Sequence, residues 1–145
     1  MNKKGFTLVE LLVVIAIIGL LSTLAIVALG SAREKARDSK RLSDLRQIQT
    51  ALELSYTENS AYPIATDLLL GDPAATGCLD ATGFVAAGCA NAFMGLVPED
   101  PGANSYVYNS ADGTTYSIDA TLEGTVNNFT AAIQATPSGI LDVAN

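Results

Sequence analysis

The sequence predicts an α+β protein. One long N-terminal helix, apolar in its first half and amphipathic in its second, packs on a small antiparallel β-sheet head. Three observations carry this. The 24 residues from Phe6 to Leu29 contain one charge, Glu10. An apolar stripe at helical spacing follows, with nothing between that breaks a helix except the isolated Gly30 and Ser31. The last third then alternates with period two around an Asp-Gly turn signal. At 145 residues and 15.0 kDa there is room for one domain and an attachment, not for two full domains.

The apolar run comes first. A 24-residue helix is about 36 Å long, enough to cross a hydrocarbon core of about 30 Å. A soluble helix that is apolar on every face would need a larger protein around it. The segment is therefore a membrane span or a helix hidden inside an assembly. A secretory signal peptide would share the basic Lys3 and Lys4, and Ala28-Leu29-Gly30 would pass as a weak cleavage site. Its apolar region, however, runs only about 7–15 residues. A plain signal anchor fits the length. Neither accounts for Glu10, because a carboxyl in hydrocarbon costs about 2.5–3.5 kcal/mol at a helix centre and less near an end. Either Glu10 stays wet at the interface or it awaits a positive partner.

Residues Lys3 to Gly19 (KKGFTLVELLVVIAIIG) resemble the N-terminal signal of type IV pilins and type II secretion pseudopilins. The resemblance implies a pilin-like fold and a structural subunit that polymerises into a pilus-like or pseudopilus filament. It implies that a prepilin peptidase cuts between Gly5 and Phe6 and methylates Phe6, leaving 140 of the 145 residues. It also supplies a partner for Glu10, the new N-terminal amine of an adjacent subunit. A buried unpaired charge is expensive, so this pairing would select the register of assembly. The implied partners are further copies and other pilins, the peptidase, an inner-membrane assembly platform, and the membrane itself before assembly. The implied location is a single-pass inner-membrane protein with its head outside the cytoplasm, then an extracytoplasmic filament. Many relatives carry a proline where this chain has Val27. Gly19 alone costs about 1 kcal/mol of helix propensity against about 3 for proline, so the helix is expected to stay straighter. Glu10 also favours an ordinary stacking subunit over a tip-initiating one. A membrane-anchored extracytoplasmic binding module that does not polymerise is the alternative.

Past Gly30 the composition changes. Ser31–Asp44 mixes both signs, with Glu34/Arg37 and Asp38/Arg41 as i,i+3 pairs. Leu42, Leu45, Ile48, Leu52 and Tyr56 then form the amphipathic stripe. It lasts barely two heptads, too short for a coiled coil. Read together, Phe6 to about Ser60 is one helix of about 55 residues, ended by Ala61-Tyr62-Pro63. The expected organisation is a leader at 1–5, an apolar helix at 6–30, its amphipathic continuation at 31–60 and a head at 61–145. Six bases from Arg33 to Arg46 follow the span, and a positive-inside count would place the head in the cytoplasm. The prepilin signal and the cysteines overrule that count. The basic cluster is expected to be a solvated face; anionic lipid or the acidic heads of neighbouring subunits are its alternative partners.

In the head, Ile64–Ser105 reads as a long Ala- and Gly-rich loop in which Asp67–Leu70 has the makings of a helical turn. A loop near 40 residues needs a tie. Cys78 and Cys89 provide one as a structural disulfide, worth about 2–3 kcal/mol, with two buried thiols as the alternative. Ser105–Tyr108 and Thr114–Leu122 read as strands joined through Asn109–Gly113, with a third at Val126–Ile133. The sheet would bury one face on Leu45, Ile48 and Leu52. Some major pseudopilins hold calcium near such strands. Asp112, Asp119 and Glu123 have suitable oxygens, but the family's ligand loop is missing, so they read as solvated turn acids. Asn128-Phe129-Thr130 matches a glycosylation sequon.

Composition narrows the function. No His is present, which excludes Ser-His-Asp and Cys-His catalysis and His-ligated metals. No nucleophile-and-base set or phosphate loop appears, so an enzyme is not expected. No cofactor or metal is called for either. All eight bases lie between Lys3 and Arg46, and the chain from Gln47 onward carries eleven acids and no base. A surface of that sign repels phosphate, so nucleic acid is not an expected partner.

Overall fold

The computed structural model describes residues 5–143 as two compact units, one ending at Glu34 and the other starting at Lys35. The architecture is α+β. One helix, α1 (Leu8–Asn59), belongs to both units. It contains no proline and only two glycines, Gly19 and Gly30, so nothing stops it before its end. There Ser60 turns left-handed with φ 57°, and its N–H donates to the Tyr56 carbonyl at 2.8 Å. Pro63 then forbids continuation.

In the first unit α1 is exposed all round. Its large apolar side chains keep between 45% (Val14) and 78% (Leu8) of their surface open. In the second unit one face closes. Leu42, Leu45, Ile48, Ala51 and Leu52 are buried, and full burial of a Leu or Ile is worth about 1.5–3 kcal/mol. The stripe departs from expectation at its last position. Ser55 takes the inward place and Tyr56 stays 39% exposed, its ring 4.6 Å from that of Tyr62.

The helix packs on a five-stranded antiparallel sheet of β1 (Ala65–Leu70), β4 (Tyr106–Ser110), β5 (Ser117–Thr121), β6 (Ala132–Thr136) and β7 (Gly139–Asp142), in that spatial order. Strands β2 (Cys78–Asp80) and β3 (Gly83–Val85) make a separate hairpin. Alternation along β4, β5 and β6 turns Tyr106, Tyr108, Ile118, Ala120, Ile133 and Ala135 inward, into one core with the helix stripe.

Several expectations about the head are corrected. Asp67–Leu70 is not a helical turn but part of strand β1, with Leu68, Leu69 and Leu70 opposite Tyr108, Val107 and Tyr106. A register irregularity between Ala65 and Leu68, with Asp67 at φ 49°, hides its alternation. The long loop is therefore not structureless, since it contains β1 and the β2–β3 hairpin. The turn after β4 spans 111–116 rather than Asn109–Gly113, and the Asp112-Gly113 pair lies inside it with Gly113 at φ 75°. The third strand runs over Ala132–Thr136 and so shares only Ala132 and Ile133 with the expected Val126–Ile133; ahead of it Val126 and Phe129 form an isolated bridge. A further edge strand, β7, pairs with β6.

Candidate functional site

Two places gather polar chemistry. The first is the start of α1. Phe6 is 81% exposed, and Gly5 and Glu10 are exposed beside it. Thr7 and Glu10 form a capping box: the Thr7 N–H and hydroxyl donate to Glu10 Oε2 at 2.8 and 2.6 Å, and the Glu10 N–H reaches Thr7 Oγ1 at 3.2 Å. Glu10 thus accepts the Thr7 N–H at the start of its own helix, and Thr7 accepts the Glu10 N–H in return. Thr7 was not singled out in the sequence, although Thr-x-x-Glu before an apolar run is a readable signature. The expected leader residues Met1–Lys4, including Lys3 and Lys4, lie outside the described residues. The helix that follows is long and apolar enough to cross a membrane.

The second place is in the head, and two of its parts, the basic cluster with Arg41 and the acid Glu123, read from the sequence as solvated. Arg41 is fully buried rather than part of a solvated basic face. Its Nε and Nη2 donate to the two carboxylate oxygens of Asp100 at 2.7 and 2.8 Å. Its Nη1 donates to Asp38 at 2.7 Å and to Glu123 at 2.8 Å. Glu123 also takes a bidentate pair from Arg37, so it is not a solvated turn acid. Asp38 accepts the backbone N–H groups of Glu123 and Gly124 at 3.0 and 2.9 Å. Of the two i,i+3 pairs read from sequence, Asp38/Arg41 forms, while Arg37 reaches Glu123. Gly102 donates to Asp100 at 2.7 Å, and a Cβ at Gly102 would sit 2.7 Å from the Arg41 guanidinium, so a side chain there would push the guanidinium from its place.

The electrostatics follow from these contacts. Hydrogen bonds from Arg37 and then Arg41 bring the Glu123 carboxyl down to about 2. Burial pushes Asp100 up, but hydrogen bonds from Arg41 and Gly102 outweigh it and hold the carboxyl below its ordinary range. Hydrogen bonding to Asp100, with Glu123 and Asp38 behind it, keeps Arg41 firmly protonated despite its burial. Asp44 runs the other way. Burial raises its carboxyl, against the Tyr106 hydroxyl that donates to it at 3.1 Å. Every acid in the cluster meets a donor, so its chemistry is that of a clamp. It ties α1 to the segment before β4 and to the turn after β5.

The other candidates are placed as follows. Cys78 and Cys89 are joined in a disulfide, with Cα atoms 6.2 Å apart. Asp112 binds the N–H and hydroxyl of Thr114, and Asp119 accepts from Gln134 at 2.7 Å. Among the described residues no group of three or more His, Cys, Asp or Glu is placed to hold a metal ion. Asn128 lies exposed at φ 70°, while Thr130 of the same sequon is held by Asp142.

An exposed apolar helix with a carboxylate near its start, joined to a disulfide-bearing α+β head, defines a filament-subunit class, and the comparisons specify it. The family model described as the prokaryotic N-terminal methylation motif matches residues 1–26. The type II secretion system core protein G of Aeromonas hydrophila is 32% identical over 108 residues, covering 72% of this chain and 71% of that protein. Its counterpart in Vibrio cholerae is 27% identical over 138 residues, covering 95% and 86%. The major component of the type IV wide pilus of Thermus thermophilus is 42% identical over 73 residues, covering 46% and 56%. No solved structure matches. The chain belongs to the type II secretion core protein G and type IV pilin family and is a structural filament subunit carrying the prepilin methylation motif.

Proposed function

We propose that the chain is inserted in the inner membrane through its apolar helix, with its head outside the cytoplasm. A prepilin peptidase cuts between Gly5 and Phe6 and methylates Phe6. The mature subunit then joins copies of itself and other pilins through an inner-membrane assembly platform, and acts without catalysis of its own. The observation that carries this is an apolar helical stretch exposed on every face, with Glu10 its only charge. Lipid covers such a surface first, and identical helices cover it afterwards. In the filament, Glu10 leaves Thr7 for the amine of a neighbouring Phe6, exchanging a local hydrogen bond for a charge-assisted one.

One observation favours the anchored, non-polymerising module instead. A glutamate that caps its own helix has a use in a mere anchor. Intact mass with N-terminal fragmentation, on protein from its own membranes, separates the two. A chain that starts at Phe6 and is heavier by one methyl group is expected. A chain starting at Met1, or cut after Gly30, overturns the processing and the Glu10 role together.

A further inference from the structure

From Lys35 onward the chain has five bases and thirteen acids, and no base lies beyond Arg46. Arg37 and Arg41 are engaged in the clamp. Lys35, Lys40 and Arg46 are exposed and form no salt bridge among the described residues. Lys35 and Arg46 are eleven residues apart, about three turns, and so stand on one line of the helix. Ser39, Ser43 and Thr50 beside them are small, and with Arg46 they line a shallow groove. This flank is cationic from Lys35 to Arg46; Glu53, two turns further along the same line, shares a neighbouring groove with Arg46 and accepts the Tyr62 hydroxyl.

Lys40 is turned by about 120° from Arg46 and lies on the next flank, with Gln47 between the two. There a groove runs between Lys40, Leu96 and Glu99, and an adjoining one is lined by Glu99, Asp72 and Leu69. Leu96 and Leu69 are 71% and 55% exposed. Asp100 on this side is already paired with Arg41, so Asp72 and Glu99 outnumber Lys40. The second flank is acidic with an apolar rim.

Complementary faces on different sides of one unit meet head to tail, and a head-to-tail contact that does not close generates a helical filament. We propose that Lys35 and Arg46 of one copy dock on Asp72 and Glu99 of the next, with Leu69 and Leu96 packed at the margin. The inference rests on the filament reading above and adds which faces meet. An anionic lipid surface is the other body that attracts Lys35 and Arg46. The same unit, however, has eight more acids than bases, so a negative membrane repels it as a whole. A second copy brings the missing counter-charge.

The test uses filaments sheared from cells that make the full chain. Arg46→Glu and Glu99→Arg are each expected to lower filament yield about ten-fold, because each places like charges face to face. The double variant Arg46→Glu/Glu99→Arg restores the pair and is expected to recover the yield. Single variants that assemble normally overturn the proposal. So does a double variant no better than the worse single one, when all heads melt as wild type. Carbodiimide coupling of wild-type filaments gives a reading independent of the variants. Lys35 joined to Asp72 or Glu99 of another copy is expected, and links formed only elsewhere contradict the docking. Loss of binding to phosphatidylglycerol vesicles by Arg46→Glu, with filaments intact, assigns the flank to lipid instead. A wild-type chain that is processed as expected yet makes no filaments defeats the reading beneath, and the docking falls with it.

Discussion

Residues Leu8–Leu29 and Asp38–Ser55 belong to the same helix but depend on different partners. The first stretch spreads apolar side chains over every face and buries none of them. The second gathers all its large apolar side chains but Leu54 into one stripe and buries that stripe against the sheet of its own chain. The backbone is the same, so the distribution of side chains decides whether a helix is completed by its own fold or by something outside it. Each stretch also has its own treatment of charge. Glu10 is a carboxylate held by a local cap, whereas Arg41 is a buried cation answered by three acids from three segments.

The largest expected effect breaks the comparison at its exposed end. Glu10→Ala should abolish or strongly impair filaments while leaving membrane insertion intact, read from the sheared and membrane fractions. Normal filaments from this variant would remove the register role. The next effect lies at the buried end. Arg41→Met leaves Asp38 and Asp100 buried without their cation, and the head should lose about 3–5 kcal/mol of stability in thermal or denaturant unfolding. A loss below about 1 kcal/mol would show that the clamp can rearrange around its acids. Reducing Cys78–Cys89 should cost less, about 2–3 kcal/mol by the loop-entropy argument, and should lower the melting temperature of the head without altering insertion.

Acid gives the smallest and most gradual effect. Glu123 falls from an ordinary 4.5 to about 2 in the folded head, so its contribution is fully present above the unfolded value. It is lost as the pH drops from about 4.5 through about 2. Asp100, also lowered, acts in the same sense. Asp44 is raised, and its protonation on acidification opposes the loss. The head should therefore melt at progressively lower temperature over that window, and a melting temperature flat across it would contradict the clamp.

Much of the helix was legible because its cause is local. Continuous helix formers and the stop at Pro63 bounded it to within two residues at each end; the Thr-x-x-Glu signature where α1 begins went unread. The head was legible only where alternation survives, at Tyr106–Ser110 and Ser117–Thr121. Strand β1 escaped because Asp67 interrupts its period, and β7 because four residues after Pro137 carry too little pattern. The clamp escaped for a different reason. Arg41 meets Asp100 and Glu123 across 59 and 82 residues, and no local rule distinguishes a base with such partners from a solvated one. The prolines around Asp100 were the only hint that its backbone is held.

The central claim is that the head completes itself while the apolar stretch does not. The most direct measurement is the unfolding of residues 35–145 exported as a separate oxidised fragment. A soluble monomer that unfolds in one cooperative transition and forms no filaments is the predicted result. A fragment that aggregates, or unfolds without cooperativity, would contradict it by showing that the head depends on the helix it was taken from.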